Sequence, residues 1–502
     1  MKLKNPYQIV LERNLPRVLS LVSGDSLGNT LGIADRRYWA WKTVDFPNAS
    51  MQSLAGGFAR LSKRSNLDDS FASIDFSRLA LDLICAIRPM TSRSGGLAEA
   101  FPEENSFCVT GQVLSEAMDA LSVMGSNLSA ADRQESLSLL SPLANFLMRN
   151  DETHGIISNH LATTALAMVR WGLSTGDDRA LLRAESFLAR IKRHSSDEGW
   201  FVEYSGADPG YQTWALASLA QIFDEAPGLI DQDFLVAGMR FLEPFALRNG
   251  TFANGAGARF TSFLMAVGPE LMAVSIPEAA FLASFARRHI VQHRFVSLDA
   301  VDEPNLAPFF NDVVRSAELF DQTPSMNSDV QQHPVRDFPE AGLYVRHTDV
   351  RSVVISAERG GWVCVADAAG PTHINSEPVF RDPRGRLFIA RSAIDVKPVA
   401  GSLVIKSYIR RVTIRSQSPK QFLLLRMFAM SLGKWRAPRE LAKKFLAHLL
   451  LTRKEKSVGV CERIVDTRTG ASSERVHSRI ELSKSHLFGA PHHMASYGYW
   501  RS

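Results

Sequence analysis

Apolar residues recur at three-to-four spacing through most of the chain between residues 71 and 295. That spacing lines one face of an α-helix. It predicts helices at FSRLALDLICAI (76–87), GQVLSEAMDALSVM (111–124), ESLSLLSPLANFLM (135–148), NHLATTALAMVRWG (159–172), ALLRAESFLARIKR (180–193), YQTWALASLAQIF (211–223), DFLVAGMRFLEPFAL (233–247) and EAAFLASFARRHI (278–290). The connections between them are of two kinds. One is short and plain, as in GLSTGDD at 172–178. The other recurs at 94–107, 151–160, 197–211 and 248–262: a glycine, an apolar or aromatic residue, a polar cluster, then a new helix. Its reference glycines are Gly96, Gly155, Gly199 and Gly250. They fall one helical hairpin apart, the signature of a helical-repeat array. Hairpins stacked in a ring would put all four polar loops on one rim, around one cleft.

The period changes near residue 318. FDQTPSMNSDVQQHPVRDFPE is polar and Pro-containing, which predicts a linker at 318–336. Short β-branched runs follow: AGLYVRHT, RSVVISAE, GWVCVADA, RLFIARSA, GSLVIKSY and RRVTIRSQ, then VGVCERIVDTR and SSERVHSRIEL. Turn residues separate them, the pattern of an antiparallel β-sandwich. Between the two groups lies a helical hairpin at 418–456, broken near Gly433 and Pro438. From 420 to 456 it carries ten lysines and arginines against two glutamates, a net +8. Either its apolar face packs on the sandwich and its lysines are solvated, or it rests on an anionic membrane.

The expected fold is therefore α+β and multidomain: an incomplete N-terminal α/α toroid of helical hairpins over 1–317, the linker, and an antiparallel β-sandwich with a helical insertion over 337–502. A chain of 502 residues is long enough for two or three domains. Composition is that of ordinary globular protein. The net charge of +5 suits an acidic substrate or a membrane surface, and is too weak for nucleic acid. The cysteines at 85, 108, 364 and 461 are far apart, predicting free buried thiols with neither disulfides nor zinc. Glu12, Arg13 and Arg17 interrupt the first apolar run, so no signal peptide is expected. The expected location is cytoplasmic, with peripheral contact at the inner membrane face through 420–456. No cofactor is expected; a structural metal in the sandwich stays open.

Candidate chemistry gathers in the recurring loops. Asn159 and His160 open a predicted helix. An amide and an imidazole there can hold a carboxylate and offset its charge. The plainer alternative is that Asn159 or Ser158 caps the helix and His160 is an ordinary satisfied histidine. Asp208 followed by Pro209 marks a helix start, which puts Tyr211 in the first turn. The positive end of a helix favours an anion, so Tyr211 is expected below its usual pKa near 10. Alternatively Tyr204 and Tyr211 pack on the ring wall, and Trp200 belongs to the core. Trp200, Glu203, Tyr204, Asp208 and Asn254 are candidate substrate contacts. Arg259 can pair with a carboxylate through two hydrogen bonds. Glu99 and Glu103 are candidate acceptors for sugar hydroxyls. The glycine-rich ANGAGARF has no preceding strand and no following GK[ST], and HExxH and GxSxG are absent.

These residues carry a family resemblance. A helical toroid, a linker and a sandwich opening on AGLYVRHTDVRSVVISAERGGW resemble the heparinase II/III-like polysaccharide lyases. The similarity is sharpest at GIISNHLATTALA and GWFVEYSGADPGYQT. DRRYWAWKTVDFPNASMQ (35–52) also resembles toroid proteins of bacterial capsule and exopolysaccharide clusters. The resemblance implies β-elimination on an acidic, uronate-containing polysaccharide or oligosaccharide. It implies Asn159 and Arg259 as holders of the uronate carboxylate, and His160 and Tyr211 as base and acid in either order. Tyr204 is the reserve tyrosine. Two other classes stand beside it. One is a non-catalytic binding or assembly factor in cell-surface polysaccharide synthesis. The other is a toroid glycoside hydrolase drawing two carboxylates from Glu99, Glu103, Glu203 and Asp208.

Overall fold

A computed structural model describes residues 4–323, 333–412, 418–447 and 456–485, with residues 436 and 443–447 described through their helix alone. The helices are α1 (Pro6–Leu19), α2 (Arg36–Trp39), α3 (Leu54–Leu61), α4 (Phe76–Cys85), α5 (Phe107–Met124), α6 (Ala130–Arg149), α7 (Ser158–Thr175), α8 (Asp178–His194), α9 (Pro209–Glu225), α10 (Gln232–Leu242), α11 (Val267–Met272), α12 (Pro277–His289) and α13 (Leu306–Gln322), with α14 (Pro419–Met430) and α15 (Arg436–Ala447) in the insertion. Each helix expected between residues 71 and 295 is present. The sequence reading passed over α1, α2, α3, α11 and α13. Acids and arginines interrupt α1, and buried Asn311, Asp312 and Arg315 break the apolar period of α13.

Odd-numbered α3, α5, α7, α9, α11 and α13 pack in succession as an inner ring, and α4, α6, α8, α10 and α12 pack against them from outside. The inner positions explain their sequences. In α7 every residue from Leu161 to Gly172 is buried, so small and apolar residues run around the whole helix. Outer α8 buries only Ala180, Ala184, Phe187, Leu188 and Ile191, one stripe at helical spacing. The expected incomplete toroid is refined at one point: α13 returns against α3 and α1, joining the last inner helix to the first. α13 also runs past residue 318, so the non-helical stretch before the sandwich starts later than the period change implied. Residues 324–332 of the expected linker lie outside the described residues.

A recurring turn joins hairpin to hairpin. In Ser92–Gly96 the N–H of the first residue donates to the carbonyl of the fifth, and the fourth donates back to the first. The same pair of bonds forms in Ser196–Trp200 and in Leu247–Thr251. The fourth residue is Gly95, Gly199 or Gly250, with φ between 85° and 90°. The turn glycine of the first loop is thus Gly95, one residue before the expected Gly96. The loop at 151–160 lacks this turn.

Two antiparallel sheets follow. Strands β3 (Val335–Phe338), β4 (Leu343–His347), β5 (Arg351–Ser356), β6 (Trp362–Asp367) and β7 (Thr372–Asn375) form a meander in that order. The second sheet is ordered β12-β11-β10-β9-β8-β13, from β8 (Val379–Arg381), β9 (Leu387–Val399), β10 (Ser402–Arg411), β11 (Ser457–Asp466), β12 (Ser472–Ser478) and β13 (Ser483–Ser485). A two-residue pairing in the toroid, β1 (Val202–Glu203) with β2 (Gly206–Ala207), completes the strands. Of the run RRVTIRSQ, Arg410 and Arg411 end β10, and 413–417 lie outside the described residues. So do 448–455 of the basic hairpin and everything after residue 485.

Strand β5 shows why RSVVIS is apolar on consecutive positions. Val353 and Ile355 face Leu403, Ile405 and Val465 inside the sandwich, while Val354 joins the toroid core. Both faces of this sheet are buried. Phe338 of β3 packs on Phe241 and Phe245 at the end of α10 (ring centroids 4.8 and 6.1 Å apart). The His347 imidazole joins the Pro244 carbonyl at 3.0 Å, and the Ser352 hydroxyl accepts from the Arg248 N–H at 3.0 Å. The cysteines depart from expectation: Cys364 and Cys461 are buried, but Cys85 is exposed and Cys108 half-buried, each at a helix terminus.

Candidate active site at the toroid rim

Three recurring loops are stitched edge to edge. The N–H of Tyr204 donates to the Ile156 carbonyl (2.9 Å), and the Ser158 hydroxyl donates to the Val202 carbonyl (2.7 Å). On the other side Ala258 N–H donates to the Ala207 carbonyl (2.8 Å). Neither Ser158 nor Asn159 caps α7, as one reading expected. The capping position is Ile157, and the Ser158 hydroxyl is used to tie the loops together.

Asp208 organises the middle loop. Its carboxylate accepts from the Tyr211 N–H (3.1 Å), the Arg259 N–H (2.8 Å) and the Thr261 hydroxyl. It is therefore the N-cap of α9, with Pro209 at the first helical position. A Cβ at Gly257 would lie 2.7 Å from the Asp208 Cα, so only glycine lets the fourth loop approach this closely. Gln212 braces the turn beneath, accepting from the Phe201 N–H (2.9 Å) and donating to the Gly199 carbonyl (2.9 Å).

Arg259, fixed in this way, lies between two tyrosine rings, 4.5 Å from the Tyr204 centroid and 4.7 Å from that of Tyr211. Its Nη1 donates to Glu203 Oε1 at 3.2 Å. Glu203 is 3% exposed and also accepts from the Asn159 N–H. The Asn159 side-chain oxygen is buried and has no hydrogen-bond partner among the described residues. Tyr211 is held by Phe263 edge-on (5.4 Å) and Trp214 stacked (6.2 Å). The structure thus brings Asn159, Glu203, Tyr204, Asp208, Tyr211 and Arg259 into one cluster.

His160 stands beside them, bound through Nδ1 to Glu152 Oε2 at 2.7 Å, while Glu152 Oε1 meets His154 Nδ1 at 2.7 Å. Sequence reasoning missed Glu152 and His154. The only sign of them was an acid two and eight residues ahead of two histidines in a polar loop. The Glu152 charge acts on both Glu203 and Tyr204, which ties the pair of histidines electrostatically to the cluster.

Burial governs the protons here. It raises Glu203 well above the ordinary carboxylate value; Arg259 opposes this and Asp208 adds to it. It raises Asp208 too, against hydrogen bonds from Thr261, Tyr211 and Arg259. Burial pushes the Tyr204 phenol up to about 12 and Tyr211 far above its usual value, Arg259 pulling back in both cases. The expectation that the helix terminus would lower Tyr211 is overturned. Asp208 already occupies that terminus, and desolvation of a nine-tenths buried phenol outweighs the dipole. Glu152 is the opposite case. Burial would raise it, but hydrogen bonds from His154 and His160 hold it far below the carboxylate range.

The remaining candidates lie outside the cluster. Trp200 donates to Glu198 (3.1 Å), whose carboxylate accepts from the N–H groups of Glu340 and Ala341, so it belongs to the contact with the sandwich. Asn254 donates to Thr251 (2.7 Å) and Cys364 (3.4 Å) and serves the same contact. Glu99 is exposed and accepts from Ser106; Glu103 lines a cavity of about 180 Å³ with Phe46, Ser92 and Asn105. Among the described residues no group of three or more His, Cys, Asp or Glu side chains could hold a metal ion.

The arrangement offers a guanidinium for an anion, protonated phenols as donors and a carboxylate-held imidazole, on the rim of a toroid capped by a sandwich. That fold is the fold of helical-toroid polysaccharide lyases. The particular similar structures are a Paenibacillus xanthan lyase and a Streptomyces coelicolor A3 chondroitin AC lyase solved with chondroitin sulphate. The first has a TM-score of 0.50 at 9% identity and covers 93% of this chain and 46% of its own. The second has a TM-score of 0.50 at 10% identity, covering 82% and 66%. This chain therefore spans about half the length of the xanthan lyase and about two thirds of the chondroitin lyase. At such identities the likeness establishes the fold. A sugar epimerase from a ruminal bacterium is also similar, at a TM-score of 0.43 and 10% identity over 62% of this chain and 98% of its own. No protein-family model and no curated protein matches the sequence.

Proposed function

We propose that this protein cleaves an acidic, uronate-containing polysaccharide by β-elimination, of the kind bacteria place in capsules and exopolysaccharides. The carrying observation is the Arg259 guanidinium, clamped between the Tyr204 and Tyr211 rings and paired with the same Glu203 that accepts from the Asn159 N–H. In this reading the Arg259 guanidinium and the Asn159 side-chain N–H donate to the uronate carboxylate. Their positive and hydrogen-bonding field acidifies the neighbouring C–H. His160 takes that proton. Glu152 is ionised and accepts from Nδ1–H, so the lone pair of the neutral ring sits on Nε2. The released electron pair forms the ring double bond and the glycosidic C–O bond breaks. Tyr211, kept protonated by burial, gives its proton to the leaving oxygen.

A raised Glu203 would also suit the acid of a hydrolase. Such a reaction needs a second carboxylate across the cleft, and Asp208 is spent on the α9 cap and the Arg259 loop. Elimination therefore leads. The test incubates the protein with uronate-containing glycans and follows the ultraviolet absorbance of the unsaturated product. Tyr211→Phe and His160→Ala should each lower the rate about 10²–10⁴-fold with circular dichroism unchanged. Reducing ends without absorbance would establish a hydrolase. Tight binding with neither signal would establish a glycan-binding or assembly factor.

A further inference from the structure

Large apolar side chains lie exposed along α14, the turn at Leu432–Lys434 and the start of α15. Leu423, Leu424, Met430, Leu432, Trp435 and Leu441 are each 60–72% exposed. Apolar residues exposed singly need no explanation, but a contiguous patch marks a covered surface. Of the two readings of the insertion, packing of its apolar face on the sandwich does not hold for these residues, which stay exposed among the described residues.

The insertion is nonetheless fixed at its base. Arg426 of α14 pairs with Asp45 (3.1 Å) and lies over the Phe46 ring (5.0 Å), beside the first rim loop. Glu440 of α15 accepts from Thr153 (3.3 Å) in the second. α14 starts at a full capping box, with Ser418 and Gln421 bonded reciprocally and Pro419 at the first position. It is thus a formed helix with bare apolar flanks. Its 12 residues reach about 18 Å, far short of a bilayer core of about 30 Å. Among the described residues no helix is long and apolar enough to cross a membrane.

Charge selects the occupant. From α14 to the end of α15 the sequence carries seven lysines and arginines against one glutamate, a net +6, and Lys420 and Lys434 are exposed beside the apolar residues. Two copies meeting through this face would bring like charges together, which disfavours a dimer. An anionic lipid surface meets both properties. Apolar side chains enter the headgroup boundary, lysines meet phosphates, and an exposed tryptophan suits the interface. We propose that α14, the following turn and the start of α15 form an in-plane docking element for an anionic phospholipid surface, holding the cleft rim against it.

The test uses the full chain without glycan, so it stands whether or not the chain is a lyase. Vesicles of phosphatidylcholine alone are compared with vesicles containing phosphatidylglycerol by co-sedimentation. Binding to the anionic vesicles should be at least about tenfold tighter and weaken with salt. The double variant Leu424→Ser, Met430→Ser should bind about tenfold or more weakly with unchanged circular dichroism. The wild-type tryptophan emission should shift to the blue on vesicles, and Trp435→Phe should lose most of that shift. Three outcomes overturn the proposal: no vesicle binding, binding that the variants do not alter, or a wild-type dimer made monomeric by the serines that ignores lipid.

Discussion

Glu152 holds two imidazoles at once, and its own ionisation is what orients them. Each of its oxygens accepts from one Nδ1, so both rings are held in the same tautomer. Glutamine in its place offers one acceptor and one donor. One histidine must then present a lone pair at Nδ1 and move its proton to Nε2. Glu152→Gln should therefore lower kcat about 10²-fold or more with KM little changed, as loss of a tautomer-holding carboxylate does. In the proposed elimination Glu152 is a positioning residue, and nitrogen NMR of the imidazoles separates this from a folding defect. The variant should show an Nε2–H signal that the wild type lacks. A kcat loss with unaltered tautomers would reject the assignment. At this scale the sequence exposed the residues that head helices, such as Asp208, Tyr211 and Asn159, because capping grammar points to them. Glu152 sits in a loop with no period, and its importance rests on two contacts made within the folded loop. The direction of Tyr211 was misread for a related reason: helix dipoles are visible in sequence, and burial of one phenol is not.

Among the elements, the recurring turn carries the repeat. Its fourth position is left-handed and pressed against the next hairpin; a Cβ on Gly199 would stand 2.3 Å from the Ala237 carbonyl oxygen. Gly176 is also left-handed, closing α7, yet a Cβ there meets nothing within 4 Å. The two glycines separate backbone strain from collision. Gly176→Ala should cost about 1 kcal/mol, the conformational penalty alone. Gly199→Ala should cost about 2–4 kcal/mol, because the hairpin seam must also open. Urea unfolding of both variants measures the difference, and equal costs would show that the turn is not wedged against α10. This element was legible because glycine, apolar residue and helix recur in register. α13 was not, because its buried Asn311, Asp312 and Arg315 serve other elements: Asp312 accepts from the N–H groups of Ala266 and Val267 at the start of α11, and Arg315 pairs with Asp119 on α5. Polar residues bonded across a ring look like solvent-facing residues when read along one helix.

For the whole molecule, the decisive contact joins the sandwich to the fourth rim loop, and nothing in the local sequence signals it beyond the doubly apolar β5. Arg359 donates to the Gly255 carbonyl, lies 3.6 Å over the Phe260 ring and pairs with Glu377 at 2.8 Å. Glu377 is fully buried and also meets Arg391. Gly255 and Phe260 flank the segment that carries Arg259, so the sandwich holds the guanidinium clamp from behind. Arg359→Ala removes one of two cations from a buried carboxylate and frees that carbonyl. Breaking such a pair costs about 3–5 kcal/mol, mostly through the charge left behind. Arg359→Ala, Glu377→Gln removes that charge as well and should recover part of the loss. Calorimetry should show one cooperative transition for the wild type, since the toroid core continues through Phe338, Val354 and Trp362 into the sandwich. In Arg359→Ala the transition should broaden or split as the sandwich loosens first. Limited proteolysis should then cut near Gly255 before the inner helices, and glycan turnover should fall although no residue of the cluster has changed. A variant with the wild-type transition and turnover would mean that the rim keeps its shape unaided, and that the sandwich only shields it.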